Sequence, residues 1–172
     1  MFKRALFSIF CVVILTCVSQ SCAYRLDAAS TVGLKTINVQ YFENNAPLVV
    51  NNLSQNFTEA LKTRIRSQTS LSVVRGEANA TMSGNVIGYS IAPVSVQATA
   101  NTNAPPIASA SRLSITINVK YTNDVDKKLS FEQPFTRYAD YRGDIGNQEQ
   151  ALIASIISQI TEDIFNKAFA NW

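Results

Sequence analysis

Two carboxylates toward the C-terminal end of the chain are the residues best placed to do chemistry. Asp140 and Asp144 stand four positions apart in the segment RYADYRGD, beside Arg137 and Arg142. Paired carboxyl groups act as general acid and general base only if one of them keeps its proton near neutral pH. The neighbouring arginines favour the ionised form of both groups. The segment therefore predicts an ion-paired connection into the following helix, with carboxylate-based hydrolysis as the competing interpretation.

The composition of the chain excludes most other catalytic chemistry. The 172 residues include no histidine, which removes the Ser-His-Asp triad, the Cys-His dyad and histidine-ligated zinc. All three cysteines, Cys11, Cys17 and Cys22, lie within the first 22 residues, so the rest of the chain has no thiol cluster. We therefore expect no enzyme activity, no cofactor and no metal site, and instead a structural, binding or anchoring role.

The N-terminus has the pattern of an export signal. Lys3 and Arg4 form a positive start, residues 5–18 form an apolar stretch, and residues 19–21 (SQS) supply small side chains at the cleavage positions. The apolar stretch is shorter than the about 20 residues that span a bilayer. Residues 1–21 are therefore predicted to be a signal peptide.

Cys22 directly follows the predicted cleavage point. A bacterial lipoprotein signal places a small residue, here Ser21, before a cysteine whose thiol receives a diacylglyceryl group and which becomes the new N-terminus. Ser19 and Gln20 depart from the usual apolar-then-small pattern, so ordinary cleavage after Ser21 is the competing interpretation. That cleavage would leave an unpartnered cysteine in an exported protein. We expect Cys22 to carry lipid, with residues 22–33 as a tether to the membrane, because two or more acyl chains anchor a protein stably.

Removal of the signal changes the size and charge of the chain that folds. The 151 remaining residues carry 13 cations and 12 acidic residues, a formal charge of +1 instead of +3. So small a charge gives no support to a nucleic-acid-binding surface. A chain of this length buries about 70% of its unfolded surface and needs no metal or disulfide. We expect a single α+β domain over residues 34–172.

The spacing of apolar residues predicts the elements of that domain. The clearest strand pattern has Leu113, Ile115 and Ile117 alternating with polar residues, and the first helix has Phe57 and Leu61 on one stripe. The predicted strands span residues 36–42, 70–75, 81–97, 111–123 and 129–138, the predicted helices span 51–68 and 147–171, and residues 98–110 are predicted to form a loop. Two amphipathic helices on one face of a four- to five-stranded, mostly antiparallel sheet make a two-layer sandwich.

Local irregularities are predicted at three kinds of position. A slip in the alternation near Gly88 predicts a β-bulge, and Pro134 predicts a second bulge together with Gln133. The cations of the first helix suit its C-terminal dipole and solvent. These cations are Lys62, Arg64 and Arg66. Capping boxes are predicted at both helix starts, and they pair Asn52 with Gln55 and Asn147 with Gln150.

A few cations mark the polar face of the predicted sheet. Arg112 begins the strand 111–123, Lys120 lies on its polar face, and Lys127 and Lys128 lie at the tip of the following hairpin. A phosphorylated lipid or an acidic partner protein would find positive charge there. Solvation of the four side chains is the competing interpretation.

The assembled segments resemble the Bacteroidetes-type LptE family of lipopolysaccharide-assembly lipoproteins. The resemblance covers nearly the whole mature chain in order and spacing, and its segments are SCAYRL, TINVQYFENNAPLV, SQNFTEALKTRIRSQTSLSVV, SITINVKYTN, FEQPFTRYADY and EDIFNKAFANW. It implies two helices packed on a small sheet, in agreement with the pattern of apolar residues. Of the family's functional residues, only the lipidated cysteine has a match here, at Cys22.

The resemblance also implies a function and a location. Members are outer-membrane lipoproteins that face the periplasm, sit partly inside the β-barrel subunit that inserts lipopolysaccharide, plug and help assemble that barrel, and bind lipopolysaccharide. The expected partners of this chain are therefore that barrel, lipopolysaccharide and the membrane, and no nucleic acid. A stand-alone periplasmic lipid-binding lipoprotein of similar fold is the alternative, and it would need an apolar cavity between helices and sheet.

Overall fold

The alternating segments of the chain pair into one sheet, and both amphipathic segments form helices. This computed structural model describes residues 31, 33–48, 50–94 and 110–170. The strands are β1 (Thr36–Val39), β2 (Glu43–Asn44), β3 (Ser72–Val74), β4 (Ala80–Val94), β5 (Ala110–Asn123) and β6 (Phe131–Tyr141). The helices are α1 (Leu53–Gln68) and α2 (Glu149–Phe169), and Lys127–Leu129 form a 3₁₀ turn. The predicted loop 98–110 lies outside the described residues except for its last residue, which begins β5.

The sheet is mixed, with six strands, and so only partly matches the predicted mostly antiparallel sheet of four to five strands. Its order is β3-β1-β4-β5-β6, with β2 beside β4. The long strands β4, β5 and β6 are antiparallel, as predicted. In contrast, β1 pairs in parallel with both β3 and β4, and β2 pairs in parallel with β4. The physical reason is the crossover through α1, because a helix that connects two strands of one sheet brings the chain back in the same direction.

The predicted irregularity at Gly88 is confirmed. The pairing of β4 with β5 shifts between Val86 and Gly88, which leaves Ile87 as the extra residue of a β-bulge. The bulge returns Tyr89 to the helix-covered face opposite Ile115, so both halves of this 15-residue strand contribute to one core.

The predicted bulge at Pro134 is wrong. β6 pairs with β5 in unbroken register, and Pro134 lies opposite Asn118. Proline lacks only a donor, and β6 has β5 as its one neighbour in the described sheet. The proline nitrogen can therefore face away from β5 without interrupting the ladder.

Both predicted capping boxes are wrong. α1 begins at Leu53 after Asn52, which has a left-handed backbone (φ 65°) and makes no side-chain cap. Asparagine tolerates this conformation better than most residues. α2 begins at Glu149, and the side-chain amide of Gln148 donates backward to the carbonyl oxygens of Arg142 and Asp144, at 3.0 Å each.

The core lies between the helices and one face of the sheet, as the two-layer prediction requires. The apolar stripe of α1 is fully buried at Phe57, Leu61 and Ile65. The ring of Phe57 packs edge-on against Phe42, with centroids 4.9 Å apart, and Tyr121 of β5 packs against the end of α2. Burying each large apolar side chain contributes about 1.5–3 kcal/mol. Neither of the two described helices covers the opposite face of the sheet.

Gly84 lets β4 approach this core closely. Its backbone φ is +154°, and a methyl group at this position would overlap the carbonyl oxygen of Asn118 and lie 2.8 Å from the ring of Phe42. Only glycine combines that backbone with that space. Gly84 therefore seats Phe42, and through Phe42 the helix α1, on the sheet.

Candidate functional site

The sheet residues that point away from the helices form a polar surface, called here the open sheet face. Burial alternates along β4, β5 and β6, so one side chain in two points to this face. Its hydroxyl and amide side chains on these strands include those of Thr81, Ser83, Asn85, Ser90, Ser114, Thr116, Asn118, Thr122 and Thr136. Two of them, Thr116 and Thr136, share a hydrogen bond of 2.9 Å across neighbouring strands. Each of these hydroxyl and amide side chains can both donate and accept hydrogen bonds.

Arg112 lies on the open sheet face, as predicted, but its charge is paired. Its guanidinium donates to both carboxylate oxygens of Asp140, at 2.7 and 2.9 Å, and covers the ring of Tyr138 at 3.7 Å. The hydrogen bond to Asp140 raises the pKa of Arg112, and the same bond holds the pKa of Asp140 below its usual value. The ion pair leaves little net charge for a ligand.

Lys120 also lies on the open sheet face and is also paired. Its Nζ is 3.6 Å from Glu132 across the β5–β6 ladder. Lys120 and Arg112 are eight residues apart on one strand, or about 27 Å, so a single phosphate cannot contact both.

Lys127 and Lys128 lie apart from the open sheet face, in the 3₁₀ turn at the hairpin tip. Both side chains are exposed. The carboxylate of Asp126 accepts from the backbone N–H of Lys128 at 3.0 Å. Neither lysine forms a salt bridge with another residue that the structure describes. The four predicted contact residues thus occupy three places, and Cys22 lies outside the described residues.

The carboxylates Asp140 and Asp144 do not form an acid–base pair. Asp140 is held ionised by Arg112, while Asp144 accepts from the backbone N–H of Gly146 at 2.8 Å. The predicted ion pairing is present in part: Asp140 binds Arg112, and Arg137 binds Asp163 of α2, with both nitrogen–oxygen distances at 2.6 Å. Asp144 and Arg142 form no salt bridge among the described residues.

A second polar surface, called here the interhelix groove, was not predicted from the sequence. It lies between α1 and α2, has a volume of about 1000 Å³ and opens to solvent. Its polar lining includes Asn56, Ser67, Gln68 and Ser158, and Arg64 lies on its α1 wall. The interpretation of Arg64 as a dipole and solvent residue was incomplete, because its guanidinium bridges to α2. The sequence signal was its place beside the apolar stripe, between Leu61 and Ile65.

The described residues show neither a membrane-spanning helix nor a metal-binding cluster. Neither helix in the described ranges is long and apolar enough to cross a membrane. Among the residues whose positions are described, acidic side chains form no cluster suited to hold a metal ion.

The two helices and the mixed sheet define a small α+β domain. A family model described as lipopolysaccharide-assembly, LptE, matches residues 34–168. The chain therefore belongs to the LptE family, as the resemblance of its segments predicted. Members of this family are assembly factors and not enzymes, and membership suggests a role in lipopolysaccharide assembly.

The chain is similar to several solved structures. A crystal structure of a Xanthomonas campestris protein matches with a TM-score of 0.53 at 10% identity, covering 80% of this chain and 85% of that one. A minor lipoprotein from Acinetobacter baumannii matches at 14% identity and TM-score 0.47, with 78% and 91% covered. Rare lipoprotein B from Shewanella oneidensis matches at 11% identity and TM-score 0.46, with 76% and 90% covered. No curated protein matches the chain.

Proposed function

We propose that this protein is a non-enzymatic outer-membrane lipoprotein that plugs and supports the lipopolysaccharide-inserting β-barrel and assists lipopolysaccharide assembly on the periplasmic side. Family membership supports the general role. The observation that supports the finer one is the open sheet face, which offers hydroxyl and amide groups on three long strands. The interior wall of a large membrane barrel is likewise polar.

The paired charges of the open sheet face suit such a contact. Taking an unpaired charge out of water costs several kcal/mol, whereas a hydrogen-bonded pair loses less on docking. Arg112 and Lys120 both have carboxylate partners on β6. The neutral hydroxyl and amide groups between them can exchange water for the polar groups of a barrel wall.

The start of the domain lies at the end that carries the hairpin tip. A methyl group on Gly33 would be 3.0 Å from Cγ1 of Val125, and the side chain of Asn79 accepts from the backbone of Lys35 at 3.0 Å. The 11 residues from Cys22 to Gly33 reach at most about 36–40 Å. An anchor at Cys22 would thus allow Lys127 and Lys128 to reach the membrane surface, where phosphate groups attract cations.

The alternative, a stand-alone lipid carrier, has less support. Such a carrier needs an apolar cavity between its layers. Here that space is filled by fully buried side chains, among them Phe42, Leu113 and Ile160. The cavity of about 1000 Å³ lies on the outer side, between the helices, and most of the residues that line it are polar.

Affinity purification from detergent-solubilised outer membrane tests the proposal. We expect a large β-barrel protein to co-purify with the wild type, and Thr116→Arg to reduce its yield because it adds an unpaired charge to the centre of the open sheet face. Ser155→Arg makes the same charge change at an exposed site on α2 and should keep the barrel. Thermal unfolding of both variants checks that they fold. Absence of the barrel from the wild-type sample would refute the role.

A second experiment tests the anchor. Cys22→Ser removes the proposed lipid attachment, so the variant should be found in the soluble periplasmic fraction while its unfolding temperature stays unchanged. Cys17→Ser, in the predicted signal, is the matched control and should remain in the membrane fraction. Retention of the Cys22 variant in the membrane would show that the attachment lies elsewhere.

A further inference from the structure

We infer that the interhelix groove binds a phosphorylated sugar headgroup, with Arg64 as the contact for its phosphate. The inference rests on the proposed function only for the source of the ligand, which is the phosphorylated sugar of a lipopolysaccharide. The site itself is argued from the residues of the groove.

Arg64 is held in place by neutral oxygen atoms. Its Nε donates to the hydroxyl of Thr161 at 3.2 Å, and Nη2 donates to the carbonyl oxygen of Ser158 at 3.0 Å and to its hydroxyl at 3.4 Å. Thr161 is only 1% exposed, so one end of the guanidinium is fixed against the wall of α2. The two N–H groups of Nη1 have no partner among the described residues. A rigid fork with free donors matches the geometry of a phosphate.

The charge of Arg64 is available to a ligand, whereas the charges of Arg112 and Arg137 are each paired with a carboxylate. Arg112 and Arg137 each donate two hydrogen bonds to one carboxylate. Arg64 forms no salt bridge within the described part of the chain. Of the residues that line the groove, Glu149 alone is acidic, and it accepts a hydrogen bond of 2.6 Å from Tyr89.

Glu149 is too distant to neutralise Arg64. It begins α2, nine to twelve residues before Ser158 and Thr161, or about 14–18 Å along the helix. Both side chains are partly buried, and at this distance their Coulomb attraction is only a small fraction of that of an ion pair in contact. The end of the groove near Arg64 is therefore electropositive.

The rest of the lining suits a sugar. Ser67, Gln68, Asn56 and Thr63 supply hydroxyl and amide groups along α1, and Ala60 leaves an apolar strip between them. Sugar rings need both kinds of contact, because their hydroxyls form hydrogen bonds while their C–H faces pack on apolar surface. The volume of about 1000 Å³ is at the upper end of the about 300–1,000 Å³ typical of small-molecule sites, enough for more than one ring.

Titration of the lipidated full-length protein in detergent micelles, followed by amide chemical shifts in NMR, tests the inference. The probe is N-acetylglucosamine 1-phosphate, and the comparison ligands are N-acetylglucosamine and inorganic phosphate. We expect saturable shifts at groove residues such as Ser67 and Ser158 with the sugar phosphate, and at least tenfold weaker binding of either comparison ligand. Loss of a charged hydrogen bond, about 1.5–3 kcal/mol, corresponds to a factor of about 10–150 in affinity.

Two variants and one control separate binding from structure. Arg64→Gln should weaken the sugar phosphate at least tenfold, and the matched control Arg66→Gln, an exposed residue of the same helix outside the groove, should change affinity less than twofold. Ala154→Phe fills the groove without altering Arg64, so it should abolish binding even if Arg64→Gln fails to fold.

Three results would overturn the inference. The first is no saturable shift in the wild type, the second is equal affinity for inorganic phosphate, which would leave an anion contact without a sugar site, and the third is equal affinity for the unphosphorylated sugar. Co-purification of the barrel is measured separately. Groove variants that keep the barrel but lose the sugar phosphate, or a wild type that keeps the barrel and binds no sugar phosphate, would distinguish this inference from the proposed function.

Discussion

The open sheet face and the interhelix groove are both polar, yet they differ in how their charges are used. On the open sheet face, Arg112 and Lys120 lie against carboxylates of the neighbouring strand. In the interhelix groove, Arg64 touches only neutral oxygens. Counting cations would assign ligand binding to the sheet, whereas counting unpaired cations assigns it to the helices. The difference teaches that the pairing of a charge, and not its presence, decides where an anion can bind.

The largest expected effect is a loss of folding stability, which would disrupt the open sheet face and the interhelix groove together. Gly84→Ala places a methyl group against the carbonyl oxygen of Asn118 and the ring of Phe42, on a backbone that alanine rarely adopts. Strain and overpacking each cost about 1–3 kcal/mol, so we expect a loss of about 3 kcal/mol or more in the free energy of unfolding. Chemical denaturation measures it. Gly143→Ala, which also has positive φ but open space, should lose less, and equal losses would contradict the packing argument.

A smaller loss of stability is expected from a change at the end of the interhelix groove than from a matched change on the open sheet face. Tyr89 is 5% exposed and donates to Glu149 at the end of the interhelix groove. Tyr89→Phe removes this charged hydrogen bond, and we expect the free energy of unfolding to fall by about 1.5–3 kcal/mol. Tyr138→Phe, on the exposed rim of the open sheet face, is the control and should change stability little. A Tyr89 variant as stable as the wild type would show that water replaces the tyrosine without loss.

The dependence of stability on alkaline pH reports on the shared core. Burial raises the pKa of Tyr121 to about 12 and also raises the pKa of Tyr89, whose neutral form is further favoured by Glu149. An unfolded tyrosine has a pKa of about 10. The folded state then holds these protons more tightly, so stability is complete below pH 10 and declines as the pH rises from about 10 toward 12. Tyr121→Phe should flatten this decline in a pH series of thermal unfolding, and an unchanged slope would contradict the assignment.

The smallest effect is expected on the open sheet face. Arg112→Gln breaks an exposed ion pair, and exposed pairs contribute little to stability. We expect a change of at most about 2 °C in the unfolding temperature and no change in the affinity for N-acetylglucosamine 1-phosphate. Arg64→Gln is the contrasting variant in the same titration. If Arg112→Gln weakened the sugar phosphate as much as Arg64→Gln does, the distinction between the two surfaces would be lost.

The spacing of apolar residues in the sequence predicted the helices, the long strands and the bulge at Gly88. The alternation of β5, the slip at Gly88 and the stripe Phe57-Leu61-Ile65 each follow from which residues avoid water. They were enough to predict two helices on one face of a sheet.

Pairings between distant residues were not predicted. β2 is two residues long and lies in a segment with turn composition, so its parallel pairing with β4 leaves no periodic signal. Asp140 pairs with Arg112, which is 28 positions away, although Arg137 and Arg142 are nearer in sequence, because strand register brings opposite residues together. The groove around Arg64 likewise exists only once α2 lies beside α1.

Pro134 affects how the outer edge of β6 can pair with other chains. β6 is an 11-residue strand at the margin of the described sheet, and such a margin offers its free N–H and C=O groups to any extended chain that passes. A proline in the middle of the strand removes one donor from that row, and the charged residues Glu132 and Arg137 flank it. The same residue that leaves the β5–β6 ladder intact thereby makes the outer edge a poor template for pairing with the strand of a second molecule.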